Sequence, residues 1–227
     1  MMAMETPDPT AAAWDWTKSV QLEDGTKLHI LRLGAGLISE YTLARIYLGL
    51  ADAKLLQVVW PGEVPSLSWW MQWVAEKRLD GGPRNVVMAA YVQKGTELTI
   101  AGFGSIATIT YLGLIGGEPR YKAECGFGFL PSTHKTRLPM EFGEMMLDYG
   151  FESLGIEVAY GTTPKPNKLA CRFAERLGLE VVGVLPIYGP WMSENGLVTP
   201  CDYQVACLTR EKWEKAPARE KRELVEA

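Results

Sequence analysis

The order of elements legible in the sequence predicts an α+β fold. Two observations carry that prediction. Up to about residue 130 the late strand-like stretches follow one another across short turns, the order of an antiparallel meander. Beyond it the hydrophobic period switches between two and about 3.6, giving strand–helix–strand–helix–strand–strand.

The elements follow in chain order. Residues 1–18 read as a flexible lead-in, small and polar through about Ala13. Residues 20–33 alternate as two strands around an Asp24-Gly25 turn. Leu43, Ile46, Tyr47 and Leu50 have helical spacing, which predicts a helix over about 38–50. Pro65 and a serine cap open a second helix from Ser66, and Gly81-Gly82-Pro83 closes it. Within it, Trp69 and Trp73 are expected to pack on a sheet and Trp70 to be exposed. Strands follow at 86–92 and 98–111, then at 121–130, which ends at Pro131. Phe142, Met145, Met146, Tyr149 and Leu154 form the face of a helix that Gly155 stops. Residues 157–161 are a short strand, and 167–177 a helix closed by Gly178. The last strands are 181–185 and 203–209, and 211–227 is a charged tail or frayed helix. One domain over 19–210 results.

Composition narrows the function. The chain has 227 residues, 47% of them hydrophobic and 22% charged, enough apolar surface for a core without staples. Its 23 glycines and 14 prolines are near average usage, against a collagen-like or low-complexity chain. A formal net charge of -4 argues against whole-body attraction to nucleic acid or an anionic membrane. The longest apolar runs, such as 86–92, fall far short of the roughly 20 residues of a membrane helix. The first residues have neither a basic nor an apolar signal region, so a cytoplasmic protein is expected. Cys125, Cys171, Cys201 and Cys207 show no C-x-x-C spacing, and only His29 and His134 are present. That argues against zinc and for free thiols in a reducing compartment.

The segment Asn167-Lys-Leu-Ala-Cys-Arg-Phe-Ala-Glu-Arg-Leu-Gly-Leu matches an N-x-x-A/S…E-x-x-G-F pattern at Asn167, Ala170, Glu175 and Gly178, with Leu179 where Phe is usual. Before it, residues 145–156 match a helix and turn leading into a fifth strand. Glu124-Cys-Gly-Phe-Gly-Phe-Leu-Pro looks like a fourth strand bearing E-x-G-Y/F. From about Val86 to Thr209 the chain thus resembles the GNAT superfamily of acyl-CoA-dependent N-acyltransferases. It looks nearest to the branch acetylating ribosomal-protein N-termini and similar amines. The resemblance implies a single mixed, mostly antiparallel sheet with a splayed parallel central pair, flanked by helices. It also implies acetyl-CoA as co-substrate, no metal, and direct attack by a primary amine of a small molecule or peptide in a ternary complex.

The same resemblance assigns coenzyme contacts to Phe129, Leu130, His134, Lys135, Thr136, Arg137, Leu138 and Asn167. One departure stands out. The family's R-G-x-G-x diphosphate loop falls on His134-Lys-Thr-Arg-Leu, where Lys135 and Arg137 replace both glycines. Glycines let backbone N–H groups approach phosphate closely. Either the two cations supply side-chain charge to the same phosphates, or the loop no longer holds coenzyme A in the usual way, or these are solvated residues before a helix whose first turn holds Pro139.

Amine acylation needs a neutral amine, a proton acceptor and a proton for the departing thiolate. Glu124 is the candidate base; as an ordinary strand glutamate it would instead face solvent or pair with Arg120 or Lys122. Where many relatives carry a tyrosine acid, this chain has Ala174. Tyr160 or Tyr203 could replace it, or be buried sheet aromatics. Asn167 could cap its helix, contact the pantetheine arm, or both. Cys125 with His134 as its base would be a nucleophile only if its pKa were lowered; among apolar neighbours a buried structural thiol is expected. Two rival readings remain: the same scaffold using another donor on a nucleobase or nucleotide amine, and a catalytically silent binding module.

Overall fold

The structure, a computed structural model, describes residues 16–22, 25–33, 40–52, 56, 64–72, 86–192 and 195–216. Eight strands form one mixed sheet in the order β1-β2-β3-β4-β5-β6-β8-β7. They are β1 (Trp16–Gln21), β2 (Lys27–Leu33), β3 (Val86–Lys94), β4 (Glu97–Ile115), β5 (Glu118–Phe129), β6 (Ile156–Pro164), β7 (Glu180–Met192) and β8 (Val198–Thr209). Among the described strands, β5 and β6 run parallel and the other neighbours are antiparallel. The helices are α1 (Glu40–Asp52), α2 (67–72), α3 (Leu138–Asp148), α4 (Lys168–Arg176) and α5 (Arg210–Glu214). The strand at 16–21 starts inside the stretch read as a lead-in. The expected mixed sheet with one parallel pair is what the chain forms. By contacts it divides into two compact units, Met1–Ser105 with Gly126–Met145, and Ile106–Cys125 with Met146–Ala227.

In the first unit, β2 pairs with β3 in unbroken antiparallel register from Lys27↔Gln93 to Leu33↔Val87. Leu31, Ile46, Leu50, Leu56, Trp70, Val87, Ala89, Tyr91 and Phe103 form its buried cluster. Trp70 is fully buried and Trp69 is 45% exposed, the reverse of the expectation; Trp73 lies outside the described residues. The physical reason is helix phase. Ser66 Oγ accepts from the Trp69 amide at 3.2 Å, which starts the helix there. The inward stripe then falls on Leu67, Trp70 and Met71, spaced i, i+3, i+4. The Trp70 ring meets that of Tyr47 with centroids 5.9 Å apart.

β4 and β5 approach closely in this unit because of two glycines. A Cβ on Gly102 would lie 2.5 Å from the Gly128 carbonyl oxygen, and one on Gly128 would lie 2.8 Å from the Phe103 ring. A side chain on Gly102 would have to move the β5 backbone, and one on Gly128 would have to move the Phe103 ring. Phe129 and Phe142 meet edge to face at 5.6 Å and seat the start of α3 on β5.

In the second unit α3 ends in one π turn, Tyr149–Ser153, closed by the Leu154 amide bonding to the Tyr149 carbonyl. Gly155 then turns the chain at φ +66, as its reading as a helix stop requires. The stretch after 209, read as a tail or frayed helix, begins as the docked helix α5. Trp213 is buried, stacks on Phe151 at 4.8 Å and donates Nε1–H to Asp148 at 3.2 Å. Arg210 donates to the Phe151 and Ile156 carbonyls and lies 3.5 Å from Glu157. The hairpin of β7 and β8 is much longer than the expected 181–185 and 203–209. Pro186 and Pro190 lie on β7, an edge strand, where missing N–H groups are tolerated, and Pro200 lies on β8 beyond its last pair with β6, Pro164↔Tyr203.

Candidate functional site

Register and alternation define one face of the sheet in the second unit. Glu124 on β5 pairs with Tyr160 on the parallel β6, so both side chains project from the same face, joined by Thr162 two residues on. Across β6 and β8, Tyr160↔Cys207, Thr162↔Val205 and Pro164↔Tyr203 extend that face. Its residues are half-buried. The opposite face holds Ala123, Cys125, Ala159, Ala206 and Leu208, all buried. A polar, open face and an apolar, covered one thus follow from period-two alternation alone.

The β5–β6 pairing runs from Tyr121↔Ile156 to Glu124↔Tyr160 and no further, although β5 continues to Phe129 and β6 to Pro164. The ladder of the central parallel pair therefore opens at Glu124. There, Thr162 Oγ1 donates to Glu124 Oε1 at 2.9 Å. Arg120, one of the two cations considered as a partner for Glu124, lies instead 3.9 Å from Glu157. Tyr160 has its pKa raised above the usual phenol value by burial, then by the neighbouring Glu124 carboxylate and by Tyr188 and Cys125. A phenol held protonated beside a carboxylate is a proton donor next to a proton acceptor. Tyr203 also has a raised pKa, from burial first, then from Cys201 and Tyr188. Its hydroxyl proton, however, is held by the Pro190 carbonyl at 2.8 Å.

Two residues that sequence reasoning passed over sit on or beside this face. Thr162 is one. Tyr188 is the other: it lies in the β7 bulge between Leu185↔Tyr203 and Gly189↔Cys201, with its ring 5.4 Å from that of Tyr203. Ile187 in the same bulge has φ +47, unusual for a β-branched residue, and its amide donates to Asp202 Oδ1 at 3.1 Å. Cross-strand register would have found both, but no local pattern encodes the register of a parallel pair separated by a helix.

Asn167 is the cap of α4: its Oδ1 accepts from the Ala170 amide at 3.1 Å, leaving the Nδ2–H groups as the donors it can offer. Ala174 stands half-buried on the same helix. Cys125 is buried, and burial together with the Glu124 carboxylate pushes its thiol up to about 12. At neutral pH it holds almost no thiolate, so the nucleophile reading has no chemical basis.

The segment carrying the remaining predicted residues belongs to the first unit. Phe129 and Leu138 are buried and Leu130 is half-buried against the core cluster. A single 3₁₀ turn, Pro131–Thr133, leads into the loop. The amides of Thr133, His134 and Thr136 bond to the carbonyls of Leu130, Pro131 and Thr133, and the Leu138 amide bonds to Thr136 Oγ1. Four amides are therefore committed within the segment. His134 Nε2 donates to the Phe129 carbonyl at 3.0 Å. Lys135 is exposed, and Arg137, 67% exposed, lies 3.2 Å from Glu141 one turn into α3. Beside this loop, within the first unit, is a cavity of about 300 Å³ lined in part by Thr26, Lys94, Glu97, Ser132 and Thr136. Among the described residues no cluster of three His, Cys, Asp or Glu side chains could hold a metal. Among them, too, no helix is long and apolar enough to cross a membrane.

This architecture, a mixed sheet with β5 parallel to β6 and flanked by helices, is the fold of the GNAT acetyltransferases. Solved structures agree. The ribosomal-protein-S5-alanine acetyltransferase from Vibrio fischeri superposes with TM-score 0.64 at 13% identity, over 86% of this chain and 98% of that one. Spermidine N-acetyltransferase from Vibrio cholerae, in complex with CoA and spermine, does so with TM-score 0.62 at 14% identity, over 82% and 97%. The microcin C7 self-immunity acetyltransferase MccE, in complex with acetyl-CoA and AMP, gives TM-score 0.57 at 16% identity, over 80% and 92%. No protein-family model matches the chain, and no curated protein matches it in sequence.

Proposed function

We propose that this protein is an N-acyltransferase that moves the acetyl group of acetyl-CoA to a primary amine. The observation that carries the reading is Glu124 beside Tyr160 where the parallel ladder ends, within a fold whose solved examples are acetyltransferases. Glu124 accepts a proton from the incoming amine, which can attack only when neutral. Tyr160 gives a proton to the departing thiolate, the part for which Ala174 has no proton. The acceptor is an amine of a small molecule or a peptide, the acceptor classes in the names of the spermidine and ribosomal-protein enzymes.

The loop residues fit an anionic co-substrate by charge rather than by backbone. With four amides of the segment committed internally, Lys135 and Arg137 supply the favourable term for a diphosphate. Asn167 offers Nδ2–H groups toward the pantetheine arm. Calorimetric titration with acetyl-CoA, followed by thiol release in the presence of a panel of amines, tests the reading. Micromolar binding and amine-dependent thiol release are expected. Absence of binding overturns it and leaves a different donor or a binding module.

A further inference from the structure

The opening of the parallel ladder raises a mechanical question: what fixes the Glu124 carboxylate once backbone pairing stops beside it? The last β5–β6 pair is Glu124↔Tyr160, and the next residue of β6 that projects from the same face is Thr162. Its hydroxyl lies 2.9 Å from Glu124 Oε1. An ionised carboxylate only accepts hydrogen bonds, so the hydroxyl is the donor. Threonine is branched at Cβ and stiff about χ1, so the donor is held by its own strand rather than by a flexible chain. Both side chains are half-buried, where such a bond is less diluted by water than at an open surface.

We infer that Thr162 is a positioning residue for the base: it latches Glu124 Oε1 across the open end of the parallel pair and leaves Oε2 as the oxygen that meets the acceptor amine. Thr162 itself touches neither the amine nor the thioester. Serine keeps the donor, while valine keeps the branched shape and removes it. The inference rests on the reading of Glu124 as the base, and the variants separate the two.

The experiment is steady-state acetylation by the full chain with wild type, Thr162→Val, Thr162→Ser, Thr162→Ala and Glu124→Gln, with thermal melting and coenzyme A binding measured on each. Losing a hydrogen bond to a charged group corresponds to roughly a 10- to 150-fold change. Thr162→Val should therefore lower kcat by that factor, with coenzyme affinity and the KM for amine within about twofold of wild type. Thr162→Ser should restore most of kcat. If the valine variant fails to fold, the alanine and serine variants make the same comparison. Full kcat in Thr162→Val or Thr162→Ala, with Glu124→Gln inactive, overturns the positioning role while leaving the base in place. A serine variant as slow as the valine variant overturns it too. Near-normal turnover by Glu124→Gln overturns the underlying reading instead.

Discussion

The Glu124 face and the 131–138 segment differ in how their polar groups are held. On the face, Glu124, Tyr160 and Thr162 come from two strands and meet only because the sheet sets their register. In the segment, the bonds run between near neighbours: four amides on preceding acceptors, Thr136 Oγ1 on the Thr133 carbonyl at 2.8 Å, Arg137 on Glu141. Long-range register makes an arrangement that is polar, half-buried and costly to rebuild. Local satisfaction makes one that commits four of its backbone donors internally and leaves fewer for a ligand. Under the proposed function, chemistry belongs to the face and the segment contributes charge.

The largest effect should therefore fall on the face. Glu124→Gln removes the acceptor and keeps the shape, and a positioned general base is worth about 10²–10⁴ in rate. Turnover should fall by that factor with coenzyme affinity unchanged, checked by initial rates and calorimetry. A rate loss accompanied by an equal loss of coenzyme binding would break the comparison, because the face would then be a binding surface.

Tyr160→Phe comes next, with a fall in kcat of about 10²-fold, at the lower end of the range for a general acid since water can also deliver a proton. Its pH dependence follows from sign. The acid form is active, and burial with the Glu124 charge moves the phenol pKa above its ordinary value. Activity should thus not fall on account of this group between about pH 7 and 9, and should decline only as pH rises past the ordinary phenol value. A wild-type rate profile with an alkaline limb near neutrality would remove Tyr160 from this role.

On the segment the expected effect is smaller and lies in binding. Arg137→Ala should weaken coenzyme A binding by about 10- to 150-fold, the range of a lost charge-assisted contact. Affinity should also drop with added salt, since exposed ionic contacts are screened. Dissociation constants for wild type and variant at two salt concentrations decide this. Equal values at both would make Arg137 a solvated loop residue.

The parts legible in the sequence were those that local rules determine. Gly178 at φ +87 and Gly155 at φ +66 end helices as read, because only the left-handed conformation closes them there. Asn167 caps α4 because its oxygen reaches an amide three residues on. The order of strands and the parallel pair followed from the residues matching a known family. What escaped was set by partners far along the chain. Two adjacent tryptophans leave open which of them faces inward; the helix phase set at Ser66 turns Trp70 inward, where its ring meets that of Tyr47. The length of β7 escaped because Pro186 and Pro190 fit a strand only where it lies at an edge. Thr162 acquires its partner only once β6 is set beside β5, 38 residues away in sequence.

The smallest expected effect sharpens the comparison most, because it concerns a group that touches no ligand. Arg137 is held 3.2 Å from Glu141, one helical turn along α3. If the segment offers charge rather than backbone, the phosphates of coenzyme A and the Glu141 carboxylate compete for the same guanidinium. An exposed i,i+4 pair is worth about 0.3–0.5 kcal/mol, well below the roughly 1.5–3 kcal/mol of a bond to a charged group held in a site. The phosphate therefore wins, but it must first displace Glu141, and that displacement lowers the affinity. Glu141→Gln removes the competing charge and takes a negative charge away from the start of α3. Loss of acidic charge in a first turn works slightly against the helix, so melting should drop a little while coenzyme A binds about twofold more tightly. The gain should vanish in the Arg137→Ala background, since no guanidinium is then left to release. Tighter binding that persists without Arg137 would mean that Glu141 acts on the ligand through general repulsion, and the pair would lose its meaning as a switchable contact. Weaker binding in Glu141→Gln would mean that Glu141 holds Arg137 in its binding pose, and local satisfaction would then be part of the site rather than its competitor.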